Sequence, residues 1–163
     1  MTSKNKIKSS DRLVQIRYNL RLKSQNIVFT NGCFDILHRG HIHLFRQAKR
    51  LGDVLVVGVN DDDSIRRLKG PGRPVFPLQE RLEVLSALMD IDYLVSFSQD
   101  TPRELIKKIQ PDVLVKGGDW KPDEVAGREE VEDEGGEGGI IPYLPGRSTT
   151  EIIEKIRQLK EKS

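Results

Sequence analysis

Residues 26–52 read NIVFTNGCFDILHRGHIHLFRQAKRLG, and the fold is decided here. NIVFT is a short apolar run bounded by polar residues, which predicts a buried strand from about Ile27 to Thr30. GHIHLFRQAKRLG predicts a helix, because Ile42, Phe45, Ala48 and Leu51 share a face and Gly52 lies just past the end. Between the two sits TNGCFDILHRGH, polar and dense in chemistry.

The same alternation continues along the chain. DVLVVGVN predicts a second buried strand over Val54 to Val59. DDDSIRRLKG follows as a short helix with acids at its start and bases at its end, which suits the helix dipole. KGPGRPVFP reads as a loop. PLQERLEVLSALMD is a helix with Leu82, Leu85 and Leu88 on its apolar stripe. IDYLVSF is the third strand. TPRELIKKIQ is a helix with Thr101 as cap, Pro102 at its first position and Glu104 completing a capping box. PDVLVKGGD is the fourth strand. GREEVEDEGGEGG is an acidic helix running into glycines, with GGEGG at 135–139 expected as a turn. IIPYLP is a weaker fifth strand interrupted by Pro142, and STTEIIEKIRQL a capped amphipathic helix.

Upstream, Met1 to Ser9 reads as a frayed polar tail, and Ser10 or Asp11 as the cap of a helix carrying Leu13, Val14, Ile16, Leu20 and Leu22. We expect residues 1–24 to form this tail and helix, and 25–163 a single domain. Strands apolar on both faces, alternating with helices, predict an α/β fold: a Rossmann-like open parallel sheet of about five strands with helices on both faces.

The composition narrows the function. The chain has 163 residues, 36% hydrophobic and 32% charged, with no apolar run long enough to span a bilayer. A net charge of +2 argues against duplex nucleic acid as the main partner. The single cysteine allows no internal disulfide, and the basic N-terminus leads to no apolar signal region, so a cytoplasmic protein is expected. No nucleic acid and no membrane are expected as partners; a homo-oligomer is compatible.

Open parallel sheets bind ligands beyond the carboxyl ends of their strands. Thr30, Asn31 and Gly32 are expected to present backbone N–H groups there, with Gly32 allowing an anion to approach closely. His38 and His41 stand three apart at the mouth of the next helix, and Gly40 between them removes a crowding side chain. The helix N-terminus adds its positive dipole end, a ready phosphate site. No Walker-type G-x-x-x-x-G-K-[ST] and no G-x-G-x-x-G follow the first strand. Cys33, His38, His41 and His43 offer only one soft ligand, so no resident metal is assigned. Asp35 is expected to bond nearby backbone N–H groups, and Asp61 to Asp63 to serve the start of a helix.

NGCFDILHRGH resembles the G-x-F-D-x-x-H-x-G-H signature of the nucleotidylyltransferase superfamily. Taken with RLKGPGRPVFPLQER, FSQDTPRELI, PDVLVKGGDW and GRSTTEIIEKI, the chain is similar from about Asn26 to Arg157 to the heptose 1-phosphate adenylyltransferases. That activity occurs as half of a bifunctional ADP-heptose synthase or as a separate chain, and this chain looks like the separate form.

The resemblance implies that residues 25–163 are a nucleotidylyltransferase domain. It implies transfer of AMP from ATP to a sugar 1-phosphate, a heptose 1-phosphate here, with Mg²⁺ carried by the ATP. It gives His38, His41, Lys69 and Arg81 to the phosphates. It gives nucleotide contacts to Thr30, Asn31, Gly32, Cys33, Phe34 and Gly40, to Gly117, Asp119 and Trp120 near base and ribose, and to Ser148, Thr149 and Thr150. Such an acceptor brings its own nucleophile, since a phosphate monoester has a second pKa near ~6. The alternatives are a glycerol 3-phosphate cytidylyltransferase, or a non-enzymatic nucleotide-binding or metal-sensing protein on the same fold.

Overall fold

Apolar residues on both faces of each strand demand two covered sheet faces, and the chain supplies them. A computed structural model of the protein describes residues 5–118, 121–142 and 148–161. The elements run α1 (Ser10–Arg21), β1 (Ile27–Gly32), α2 (Arg39–Lys49), β2 (Val54–Asn60), α3 (Asp62–Lys69), α4 (Leu78–Ser86), β3 (Tyr93–Phe97), α5 (Arg103–Ile109), β4 (Val113–Gly117), α6 (Arg128–Asp133), β5 (Glu137–Ile141) and α7 (Thr149–Glu161). The five strands form one parallel sheet in the order β3-β2-β1-β4-β5, as the sequence pattern predicts.

Strand alternation sends side chains to two cores. Val28, Leu55 and Val57 pack with Phe45 of α2 and Leu82 and Leu85 of α4. Ile27, Phe29 and Val56 pack on the other face with Leu13 of α1 and Ile106 and Ile109 of α5. Phe29 and Ile27 are fully buried, which stabilises the fold by about 1.5–3 kcal/mol per side chain. A half-buried ion pair fastens α1 to the sheet: Arg17 donates to both carboxylate oxygens of Asp112 at 2.6 and 2.5 Å, and Asp112 also accepts the Ile27 N–H.

The chain order reverses between β1 and β4, and the crevice of such a sheet opens at that point. β1 pairs with β2 from Ile27↔Val54 to Gly32↔Val59, whereas its ladder with β4 holds only Val28↔Val113 and Phe29↔Leu114. Beyond Phe29, β1 stays with β2 and is no longer laddered to β4.

Several local expectations are corrected. The N-terminal segment docks as far as it is described: Lys8 N–H donates to Leu94 O, Leu94 N–H to Lys6 O, and Lys6 Nζ to Leu88 O. These bonds occupy part of the open edge of β3. Ser9, not Ser10 or Asp11, caps α1 by accepting from Arg12 N–H. Leu51 lies past the end of α2 and is exposed. Thr101 makes no cap: α5 begins at Arg103 after Pro102, with no side-chain cap bond. The 135–139 glycines divide between two structures. Gly135, at φ +83°, and Gly136 turn the chain, while Glu137 to Gly139 already pair with Val113 to Val115. A Cβ on Gly136 would lie 2.6 Å from Asp112 O, so only glycine lets the turn come this close to the neighbouring strand. β5 ends at Ile141, before Pro142, and residues 143–147 of the expected fifth strand and following loop lie outside the described residues.

Candidate active site

The signature segment runs from the end of β1 into α2. His38 has extended backbone, φ −144° and ψ 171°, and its Nδ1 accepts the Gly40 N–H at 3.1 Å. An imidazole thus takes the capping role usually held by a Ser or Asp oxygen. An accepting Nδ1 in a neutral ring puts the proton on Nε2. The His41 ring stacks on that of His38, with centroids 3.8 Å apart and planes 27° apart. Phe34 meets His41 edge-on at 5.2 Å. Burial, together with the neighbouring His38, pushes the His41 pKa down to about 3, so this ring is neutral at physiological pH. The structure therefore brings both histidines together at the N-terminus of an eleven-residue helix.

β1 extends two residues further than the spacing predicted, and this changes the roles assigned to it. Thr30 is fully buried and Thr30 to Gly32 lie in the ladder with β2, so Thr30 is beneath the site rather than open to a ligand. A Cβ on Gly32 would sit 3.0 Å from the Phe34 ring. Gly32 thus makes room for the Phe34 ring. The chain leaves the sheet at Cys33, and Phe34 is held at φ +46°, a strained value for a phenylalanine, with its ring buried in the core.

The next residue ties this loop to another. The Asp35 carboxylate accepts N–H bonds from Val75 at 2.9 Å and Phe76 at 3.0 Å and pairs with Arg73 Nε at 2.6 Å. Burial raises its pKa, but the two backbone donors and Arg73 outweigh that, so the net shift is downward. The KGPGRPVF loop is thus clasped to the signature loop: Asp35 does accept backbone N–H bonds, but from a distant loop rather than from its own turn.

Cations converge on the same place. Burial pushes the Cys33 thiol pKa up, against the lowering influence of Lys69, Arg81, Arg73 and Lys116. The thiol stays protonated, and of the cations around it Arg73 is paired with Asp35 and Arg81 with Asp62. Lys69 is the exposed last residue of α3. Arg81 departs from the role that the resemblance gives it. It is 2% exposed, and its guanidinium nitrogens donate to Phe76 O at 3.0 Å, Cys33 O at 2.6 Å and Asp62 Oδ1 at 2.8 Å. It fastens α4, the 70–77 loop and the start of α3 around the signature loop. Asp61 caps α3 through Ser64 N–H, as expected of the acidic run.

The last helix reaches the same site. Ser148 and Glu151 form a reciprocal capping box, with bonds of 2.8 and 3.1 Å. Thr149 Oγ1 donates to Ile36 O at 3.3 Å, which holds the start of α7 against the signature loop. Thr150, one position on, is exposed. Gly117 ends β4, where a Cβ would press on Leu44 of α2 at 3.1 Å. Asp119 and Trp120 lie outside the described residues.

Sequence reasoning passed over Lys116. It interrupts the apolar run VLVKG one residue before the end of β4. Its Nζ lies 3.4 Å from both the backbone oxygen and Oδ1 of Asn31. A lone charge late in a buried strand was the signal available. A separate cavity of about 400 Å³ opens near the end of β3, beside Asp61, Ser98, Glu104 and Lys108. Its walls mix both signs of charge.

A model of the cytidylyltransferase-like family matches residues 29–155, most of the chain and the whole of this site. The chain belongs to the cytidylyltransferase-like family. The fold and enzyme class expected from the sequence, a nucleotidyltransferase on an open parallel sheet, therefore stand. The chain is 51% identical over 152 residues to the bifunctional protein HldE of Syntrophotalea carbinolica, covering 93% of this chain and 31% of that protein. It is 53% identical over 138 residues to HldE of Aeromonas hydrophila subsp. hydrophila, covering 85% and 29%. The chain thus spans about a third of the length of these relatives. A solved structure of a lipopolysaccharide core biosynthesis protein from Thermoplasma volcanium superposes with a TM-score of 0.60 at 32% identity, covering 74% of this chain and 97% of that one. Pantoate-beta-alanine ligase from Francisella tularensis shares the fold, with a TM-score of 0.60 at 18% identity, covering 88% and 68%.

Proposed function

We propose that this cytidylyltransferase-like chain transfers AMP from ATP to D-glycero-β-D-manno-heptose 1-phosphate, giving ADP-heptose and pyrophosphate for the lipopolysaccharide inner core. The observation that carries the reading is the stacked His38–His41 pair at the α2 N-terminus, with Lys69 and Lys116 near the same strand end. A site of this kind suits polyanionic reactants. The heptose acceptor is supported by similarity to HldE and to a protein of lipopolysaccharide core biosynthesis.

In the proposed reaction an oxygen of the acceptor phosphate attacks the α-phosphorus of ATP. The bond from that phosphorus to the bridging oxygen breaks, and pyrophosphate leaves with the electron pair. The acceptor is already ionised at neutral pH, so no general base is needed. The protein's work is alignment and neutralisation of charge. His38 donates from Nε2, and the neutral His41 beside it is held in place by Phe34. The α2 N-terminus and Lys69 add positive potential. The start of α7, with Ser148, Thr149 and Thr150, closes the phosphate side, and the backbone at Cys33 and Phe34 lines the turn. Arg81 and Asp35 hold these pieces in register. Mg²⁺ carried with ATP would supply charge neutralisation on the phosphates, with His38, Lys69 and the α2 N-terminus as the protein groups beside them. We place the enzyme in the cytoplasm, where ATP is available; no helix among the described residues is long and apolar enough to cross a membrane.

The test is pyrophosphate release with ATP or CTP against heptose 1-phosphate, mannose 1-phosphate, free heptose and glycerol 3-phosphate, with and without a chelator. Turnover is expected with ATP and heptose 1-phosphate, lost without the acceptor phosphate and lost with EDTA. Preference for CTP with glycerol 3-phosphate would move the chain to that branch of the family. Inactivity with every phosphorylated acceptor would leave a nucleotide-binding protein.

A further inference from the structure

We infer that Lys116, at the end of β4, holds a substrate phosphoryl oxygen across the β1/β4 crevice, opposite the histidine pair. The inference deepens the proposed reaction and rests on that reading for its substrates. Three observations support it. The first is position. β1 and β4 flank the point where chain order reverses, and their ladder stops at Phe29↔Leu114. Lys116 and Asn31 extend from the two strands just past that stop, so the ammonium reaches from β4 to β1 where the ladder has ended.

The second is side. Alternation along β1 and β4 puts Asn31 and Lys116 on the sheet face shared by Phe29 and Leu114, the face covered by α1 and α5. His38 and His41 arrive with α2 on the other face, where Phe34 and Phe45 pack. A phosphate chain lying over the strand ends would be met from both faces of the sheet.

The third is the electrostatic setting. Lys116 Nζ lies 3.4 Å from both oxygens of Asn31, at the same strand end as Cys33. Burial lowers the Lys116 pKa, Cys33 raises it, and Lys69 lowers it further. Two ammonium groups within electrostatic reach of one another repel, and an anion between them relieves that repulsion. Asn31 is then a positioning residue, and Lys116 the group that touches phosphate.

The experiment compares wild type, Lys116→Met and Lys116→Arg. Methionine replaces the ammonium by an apolar chain of similar length and so removes the charge with little change of volume. Circular dichroism and a melting curve verify folding. Calorimetric titration with MgATP is expected to show at least tenfold weaker binding in Lys116→Met, with partial rescue in Lys116→Arg. Steady-state pyrophosphate release is expected to fall at least tenfold in kcat/KM, and the alkaline limb of the wild-type pH profile is expected to move upward in Lys116→Arg. A second measurement uses the wild-type protein alone: reductive methylation of Lys116, mapped by mass spectrometry, with no addition, with MgATP, or with heptose 1-phosphate. Protection by ATP assigns Lys116 to the donor phosphates, and protection by the sugar phosphate alone assigns it to the acceptor. Protection by neither, or ATP affinity and turnover within twofold of wild type in Lys116→Met, overturns the inference. Loss of ATP binding in Lys116→Met from a wild type that turns over no sugar phosphate upholds the inference and rejects the proposed reaction.

Discussion

Asp35→Asn isolates the clasp between the signature loop and the 70–77 loop. The wild-type carboxylate has no exposed side-chain surface and meets three donors, the N–H groups of Val75 and Phe76 and Arg73 Nε. Asparagine keeps the volume but offers one acceptor oxygen. Its amide must therefore face a backbone N–H or the Arg73 guanidinium, donor against donor. Breaking a buried charged pair from one side typically costs about 3–5 kcal/mol. Arg73 keeps some access to water, its side chain being 15% exposed, so the lower end applies, about 3 kcal/mol. For a domain of this size that corresponds to a fall in Tm of about 6–12 °C. Calorimetry at neutral pH measures it. Arg73→Met in the Asp35→Asn background should then cost less than Arg73→Met alone, since the shared pair is already gone. Acid titration adds a second signature. The folded Asp35 pKa is depressed below its ordinary 3.8. Its contribution is therefore complete above about pH 4 and is lost as pH falls through the folded value. Asp35→Asn should lack that acid slope. A Tm within 2 °C of wild type, with additive behaviour of the pair, would refute the clasp.

His38→Asn retains a capping acceptor for the Gly40 N–H but loses the Nε2 donor. Its stability should stay within about 1 kcal/mol while kcat drops by roughly 10²–10³, read as pyrophosphate release. His41 has a folded pKa of about 3 against an ordinary 6.5, so the unfolded chain binds the extra proton between those values. Wild-type stability should therefore rise with pH across that window, and urea unfolding of His41→Gln should lack this part of the slope. Arg81→Met leaves three oxygens without their donor and should lower stability by about 3–5 kcal/mol, measured by urea unfolding. Arg81→Lys should recover only part of it, because one ammonium nitrogen cannot reach acceptors that three separate guanidinium nitrogens meet.

The architecture was legible because hydrophobic period and chain order are local. NIVFT, DVLVVGVN, IDYLVSF and PDVLVKG each read as strands apolar on both faces, and helices between them force parallel neighbours on a covered sheet. His38, Gly40 and His41 were legible for the same reason, since their spacing on one turn brings the rings together once a helix begins there. Strand lengths at the chemical end were not. Asn31 and Gly32 look like loop residues, and only the six-pair ladder with β2 draws them into the sheet and puts Thr30 under it.

The residues that join distant segments belonged to the tertiary structure alone. Arg81 reads as a cation available to phosphate, and nothing in PLQER announces that Cys33 O and Asp62 will occupy it. Asp35 can be read as a turn residue, but its partners lie 40 positions away, in the KGPGRPVF loop. Lys116 sits in a run of valine and leucine, and its proximity to Asn31 depends on a strand order that places β4 beside β1. Sequence determines what a residue can donate, accept or bury, and how its near neighbours repeat. Which donor meets which acceptor across 40 to 85 positions is set by packing, because burial leaves polar groups only the partners that the fold brings within reach.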